Sequence, residues 1–357
     1  MHRRDWLLSA AACAATPRAG AASPPRPLKW PGDFGAHPES RTEWWYVTGS
    51  LEAGARLWGF QVTFFRSATG LAAGNTSRFA ATELVFAHAA LTDLEQKRLR
   101  HDQRIARSGF GVAEAGRGET QVRLRDWHLS RDAAAPDRSR YRTRVASDNA
   151  GFVFDLRFDA TQPVLLQGLA GVSQKGPRAE QTSHYYSEPQ LAAQGTLTLD
   201  GKPVAVRGRA WLDHEWSDSL LDPPAVGWDW IGMNLDDGSA LTAFRVRRAD
   251  GSSVYAGGSF RAPGKVLRNF GADEVRFIPG RLWESPGSKA RYPVQWQVET
   301  PAGAFTVKAL LDNQELDSRS STGAIYWEGL SELLDASGQR VGRGYLELTG
   351  YAAALRL

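Results

Sequence analysis

Three short stretches carry side chains suited to proton transfer beside an apolar ligand. In "GRAWLDHEW", Gly208–Trp216, the residues Asp213, His214 and Glu215 follow one another and Trp216 closes the run. In an extended chain alternate residues share a face. His214 and Trp216 therefore point one way, Asp213 and Glu215 the other. "GWDWIGMNLDDG" sets Asp229 between Trp228 and Trp230, and "TEWWYV" sets Glu43 beside Trp44 and Trp45. A carboxyl pressed against indole rings is desolvated, which raises its pKa and suits it to donate a proton near neutral pH. Asp213, Glu215 or Asp229, assisted by His214, is the expected acid. The indoles of Trp44, Trp45, Trp216, Trp228 and Trp230, with Glu43 among them, form the expected binding wall. Each indole face stabilises a developing cation by about 0.5–2 kcal/mol. The plainer alternatives are a capped strand end with solvated acids, and a Glu43 that pairs with Arg41 or with backbone donors. The seven His are scattered without His-x-x-x-His spacing, so neither a metal nor another cofactor is expected. No Ser-His-Asp set or G-x-S-x-G elbow offers a nucleophile for ester hydrolysis.

These residues need strands to position them, and strands dominate the pattern. Period-2 runs such as "RLWGFQVTFFR", "GFVFDLRFDA" and "YPVQWQVETPAG" are bounded by Gly, Asp-Gly and Pro, as antiparallel hairpins require. Four blocks recur in the same order, which points to two similar β units. "EWWYVTGSLEAG" is echoed by "DWIGMNLDDG", "RDWHLS" by "GRLWESP", "QKGPRAEQTSHYYSEPQL" by "QELDSRSSTGAIYWEGL", and "GRAWLDHEW" by "GRGYLELTG". The expected fold is all-β, with two antiparallel barrels at 33–208 and 209–357, since closure hides a sheet's apolar face and removes its edges. Aligning the last blocks places Trp211 with Tyr345 in the core, His214 opposite Leu348 and Trp216 opposite Gly350. The first copy has gained an imidazole and an indole. Tyr185 and Tyr186 recur as Tyr326 and Trp327 and read as architectural. His88 reads as a satisfied core histidine, and Glu315 and Glu328 as partners of arginines.

Composition narrows the rest. The chain has 357 residues, 42% hydrophobic and 23% charged, with a net charge of +4. Its basic residues alternate with acids, so nucleic acid is not an expected partner. Thirteen Trp point to barrel packing and to a ligand-stacking surface. "MHRRDWLLSAAACAATPRAGAAS" has a basic start, a short apolar run and an A-x-A site at Ala19–Ala21. It reads as a signal peptide over 1–21, with "RRDWLL" resembling a twin-arginine signal. A Pro-rich lead-in at 22–32 follows. Cys13, the one cysteine, lies in the leader, so the exported form has no thiol chemistry. The expected location is periplasmic or secreted, without a transmembrane segment after the leader and with a cell-envelope partner as an option.

At this point the chain resembles the AttH/carotenoid 1,2-hydratase family, in its exported bacterial branch often described as secreted hydrolases. The matching motifs include "HPESRTEWWYVTG", "FAHAALTD", "YYSEPQL", "GRAWLDHEW", "GWDWIGMNLDDG", "YWEG" and "GYLELTGY". The resemblance implies two lipocalin-like barrel domains and an apolar isoprenoid or lipid-like substrate. It implies water addition across a double bond, without a redox cofactor, or hydrolysis. The family's His-x-Trp pair is matched by His214 and Trp216. Its downstream Tyr-x-Asp pair is not, since Leu241 and Ala243 stand there. A non-catalytic carrier of a hydrophobic ligand is the alternative.

Overall fold

The computed structural model describes residues 26–71, 74–77, 79–135, 138–218 and 221–355. The expected leader at 1–21 and the start of the lead-in lie outside the described residues. The alternating runs become strands, and among the described residues there is no α-helix, only two single 3-10 turns at Gly32–Phe34 and Ala272–Glu274. The strands form a 13-stranded and a 10-stranded antiparallel sheet plus a two-stranded ribbon. The large sheet spans Thr42 to Ser217 and the second Ala225 to Leu348. The changeover falls at 218–224 rather than at 208/209. The strand Lys202–Ser217 pairs along its length with Thr42–Ala53 and Thr182–Leu199, so it stays whole in the first sheet.

Each sheet curls about its own apolar core, as lipocalin-like barrels do. Trp45, Trp58, Phe60, Phe64 and Leu212 fill the first, Ile231, Trp296, Trp327 and Leu346 the second. The first sheet nearly closes, its strands Glu83–Asp93 and Arg98–Arg107 returning against Ala113–Ala115 and Gln121–Leu124.

Strand register exposes the duplication. Glu43 lies across from Arg66 and from Trp216; Asp229 lies across from Arg245 and from Leu348. Matching these crossings makes Glu215 the equivalent of Glu347, and His214 the equivalent of Leu346. Likewise Tyr185 lies across from Glu215 as Glu328 lies across from Glu347. The sequence alignment, with His214 against Leu348 and Tyr185 against Tyr326, is two residues out of step. A slip of two keeps every side chain on its own face, so the predicted faces stand although the partners change.

The barrels pack outer face to outer face through Tyr46, Trp211, Trp230, Phe244, Leu330 and Tyr345. Gly59 permits the approach, since a Cβ there would lie 2.8 Å from both Leu330 Cβ and Tyr345 Oη. Polar contacts fix the seam: Gln190 Nε2 donates to Leu235 O (2.9 Å) and Ser239 O (2.8 Å), and Thr92 Oγ1 to Gln314 Oε1 (2.7 Å). Among the described residues no helix is long and apolar enough to cross a membrane.

Candidate active site

Where the two outer faces part, they leave a cavity of about 270 Å³, near the lower end of the size range of small-molecule sites. Trp44, Tyr46, Phe65 and Tyr185 of the first barrel face Trp228, Trp230 and Phe244 of the second. Four carboxyls reach the same space, Asp213 and Glu215 from one barrel and Glu328 and Glu347 from the other. By register Trp44 corresponds to Trp230 and Glu215 to Glu347, so the cavity is built from equivalent positions of the two copies. Gly232 makes room for one wall, because a Cβ there would come within 2.3 Å of the Trp230 ring.

The carboxyls differ in how their burial is met. Burial pushes Asp213 up to about 7, against hydrogen bonds from Ser187, Trp211 and Tyr185 that oppose the rise. Ser187 Oγ (2.5 Å) and Trp211 Nε1 (2.7 Å) both donate to Oδ1, so a neutral Asp213 carries its proton on Oδ2. Burial lifts Glu347 to about 8; the Trp228 Nε1–H, 2.9 Å away, opposes this, and the acids Asp213, Glu215 and Asp229 add to it. Burial also drives Glu328 well above the usual range, helped by Glu347 and opposed by Tyr46. Among the described residues, neither Tyr46 Oη nor Glu328 Oε2 has a hydrogen bond of good geometry. Glu215 instead forms an ion pair with Lys175 Nζ at 2.9 Å. That ammonium also lies over the rings of Tyr185 (4.6 Å) and Phe244 (4.5 Å). The cavity thus holds acids able to give or take a proton near neutral pH, one fixed ion pair, and indole faces.

The expected residues divide between this cavity and the barrel interiors. Asp213, Glu215, Trp44, Trp228 and Trp230 line the cavity. His214, Trp216, Glu43 and Trp45 do not, because alternation turns them into the first barrel. Asp229 turns into the second, where Arg245 Nε (2.7 Å) and Tyr351 Oη (2.9 Å) donate to it.

Inside the first barrel Glu43 is the hub. Arg66, not Arg41, is its arginine, with Nε at 2.9 Å from Oε2. His37 Nδ1 (2.7 Å) and His214 Nε2 (2.8 Å) both reach Oε1. Burial alone would raise this carboxyl, but hydrogen bonds from His214 and His37 hold it well below the usual range. The expected upward shift is reversed because indoles are not its nearest neighbours. His214 stays neutral, lowered to about 4 by burial although Glu43 opposes this. Its Nε2 therefore carries the hydrogen given to Glu43, and Nδ1 accepts from Tyr186 Oη at 3.1 Å. His37 is the cation. Burial works against its charge, but Asp33 and Glu43 raise it above the ordinary value. Its ring stacks on Trp216 at 3.7 Å. Ligand-type atoms of His37, Glu43 and His214 lie within 4.8 Å of one another. They are spent on each other and share the carboxylate with a guanidinium, which makes this an ion-paired cluster rather than a cation cradle.

Several cavity residues escaped sequence reasoning. Tyr185 and Tyr326, read as architectural, line the cavity, while Tyr186 and Trp327 fill barrel cores. Glu328, read as an arginine partner, has no arginine beside it among the described residues; Glu315 accepts from Ser285 Oγ (2.6 Å) and Ser288 Oγ (2.5 Å) instead. His88 is satisfied as expected, by Tyr326 Oη (2.7 Å) and Ser321 Oγ (2.8 Å), yet it stands on the cavity wall, lowered to about 3 by burial. Glu347 had a usable signal. It lies in the same repeat block as Glu215, with an apolar residue on each side in "YLEL".

Comparison with known proteins agrees with this architecture. The AttH-like family model matches residues 21–351. An AttH protein from Nitrosomonas europaea is 46% identical, with TM-score 0.84 over 92% of this chain and 98% of that one. Kievitone hydratase from Nectria haematococca shares the fold at 15% identity, with TM-score 0.69 over 92% and 94% of the two chains. In sequence, kievitone hydratase of Fusarium solani subsp. phaseoli is 23% identical over 195 residues, 51% of this chain and 52% of that protein. The dehydratase asqC of Emericella nidulans is 26% identical over 182 residues, 48% and 50% of the two. The chain spans about half the length of these two curated relatives. With a duplicated barrel, an acid-lined seam between the copies and a family match from end to end of the described fold, the chain belongs to the AttH-like family.

Proposed function

We propose that the inter-barrel cavity adds water to, or removes it from, a carbon–carbon double bond of an apolar isoprenoid or lipid-like molecule. Glu347, neutral at pH 7, gives its proton to one alkene carbon. Positive charge develops on the neighbouring carbon, faced by Trp44, Trp228 and Trp230. A water molecule bonds to that carbon through oxygen and passes a proton to ionised Asp213. The substrate gains one hydrogen and one hydroxyl, and proton exchange from Asp213 back to Glu347 through solvent restores the site. Elimination is the same path reversed. Glu215 and Lys175 hold the wall in place. His214 serves by fixing Glu43 rather than by touching substrate. The reading includes export to the periplasm or beyond, on the strength of the leader motif.

The observation that carries it is a pair of carboxyls, Asp213 and Glu347, facing one aromatic cavity and both pushed up toward neutral pH by burial. General acid–base groups of this kind contribute about 10²–10⁴-fold to rate. Incubating the protein with a cell-envelope lipid extract should yield a product differing from its precursor by one water, read by mass spectrometry. Asp213→Asn and Glu347→Gln should each cut its formation by about 10²–10⁴-fold while ligand still co-purifies. A co-purified ligand that wild type leaves unchanged would establish the carrier instead.

A further inference from the structure

An aromatic and basic patch lies at the rim of the cavity. Phe86 lines the cavity and is paired across the sheet with Ile105, which is 40% exposed. Two residues on, Arg107 shares that outer face, and its guanidinium lies 4.4 Å over the ring of Phe110. Phe110 is 48% exposed and stacks at 5.4 Å on Phe79, which is 67% exposed. The turn that presents Phe110 is strained. Its φ is +57°, between Gly109 at +101° and Gly111 at +67°, a left-handed conformation that a bulky residue rarely adopts. Strain of this kind persists where the surroundings or a function hold it. Arg123 Nη1 donates to Gly111 O (2.7 Å) and Arg125 N to Val112 O (2.7 Å), so two more arginines border the same turn. The acids nearby are engaged, Glu114 with Arg123 (3.3 Å) and Glu83 with Arg66 (3.0 Å).

We infer that this patch docks the protein on an anionic lipid surface, so that an apolar ligand passes from the bilayer past Ile105 and Phe86 into the cavity. Exposed aromatics beside arginines are the pairing that inserts rings at headgroup depth while cations meet lipid phosphates. Charge complementarity therefore favours a lipid surface over a neutral partner. The inference builds on the proposed function by naming where the substrate is held.

The test is co-sedimentation of the full chain with vesicles of phosphatidylcholine alone, or with an equal part of phosphatidylglycerol. Any contribution of the leader is common to all variants, so differences report the patch. The double variant Phe79→Ser/Phe110→Ser should lower partitioning on the order of tenfold or more. Arg125→Ser should lower it about fivefold on the anionic vesicles and leave the neutral ones unaffected. Leu169→Ser, at a site 85% exposed on another loop, should change nothing. Equal partitioning of the double variant and wild type overturns the inference. So does a change of oligomeric state on mutating the patch with vesicle binding intact, which would assign this face to a second copy of the chain. Patch variants should keep full turnover of detergent-dispersed substrate, and Asp213→Asn should keep vesicle binding, so either reading can fail alone.

Discussion

The strand pair Thr42–Ala53 and Lys202–Ser217 buries ionisable side chains on both of its faces, and the two faces meet the cost differently. Toward the barrel interior, the charges gathered around Glu43 have opposites. Glu43 holds Arg66 and His37, and Asp33 holds His37 (3.1 Å) and Arg26 (2.7 Å). Of the four cavity carboxyls, Glu215 alone has an ion-pair partner among the described residues, and Asp213, like Glu328 and Glu347 opposite, is pushed toward its neutral form by burial. A satisfied ionic cluster resists change and holds strands in place. A neutral acid in a hollow has a proton to give. Chemistry therefore belongs on the cavity face, although the imidazole, the residue most suggestive of catalysis, lies on the other.

Removing one hub from each face separates the roles most sharply. Glu43→Ala would leave Arg66 and His37 buried without their shared carboxylate. That should cost about 3–5 kcal/mol, measured by denaturant unfolding. Asp213→Asn should cost far less, since burial already opposes the charge that the isosteric amide lacks. Equal losses from the two would erase the distinction.

The pH dependence of stability should carry opposite signs on the two faces. Asp213 is raised from 3.8 to about 7, so the folded state binds the extra proton between those values. Compared with Asp213→Asn, wild type should then lose about 1.4 kcal/mol per pH unit as pH rises from about 4 to about 7, and nothing further above. Glu43 is lowered from its ordinary value of 4.5. Its contribution is present above that pH and is lost as pH falls below it. Unfolding curves of wild type, Asp213→Asn and Glu43→Gln across pH 3 to 8 read both slopes, and slopes of one sign would contradict the assignment.

Much of this was legible in the sequence, for reasons that also mark where it stops. Alternation and Gly-bounded hairpins specify strands, and the ordered repeats specify two barrels. The same alternation correctly split Asp213 and Glu215 from His214 and Trp216. What alternation cannot say is which side is the interior, because both faces of this strand pair are buried, one in a barrel and one in a seam. Register was equally hidden. A two-residue slip is invisible to the hydrophobic pattern, so the counterpart of His214 is Leu346 rather than Leu348, and the arginine of Glu43 comes from the neighbouring strand, Arg66, rather than from Arg41 nearby in sequence. Glu328 and Glu347 resemble solvated acids until a second barrel covers them.

The equivalence of His214 with Leu346 offers the finest cut. The second barrel folds with leucine at this position and keeps its acid–arginine pair, Asp229 with Arg245, at the same crossing. His214→Leu would copy that arrangement into the first barrel. It removes the Nε2–H from Glu43 and leaves the Tyr186 hydroxyl without its acceptor, a cost of about 1–3 kcal/mol. His37 and Arg66 remain on Glu43, so the cluster should survive, and turnover should stay near wild type because the cavity face is untouched. A variant that folds normally and has lost turnover by the 10²–10⁴-fold of an acid–base group would move the chemistry across the strand, from the seam into the barrel.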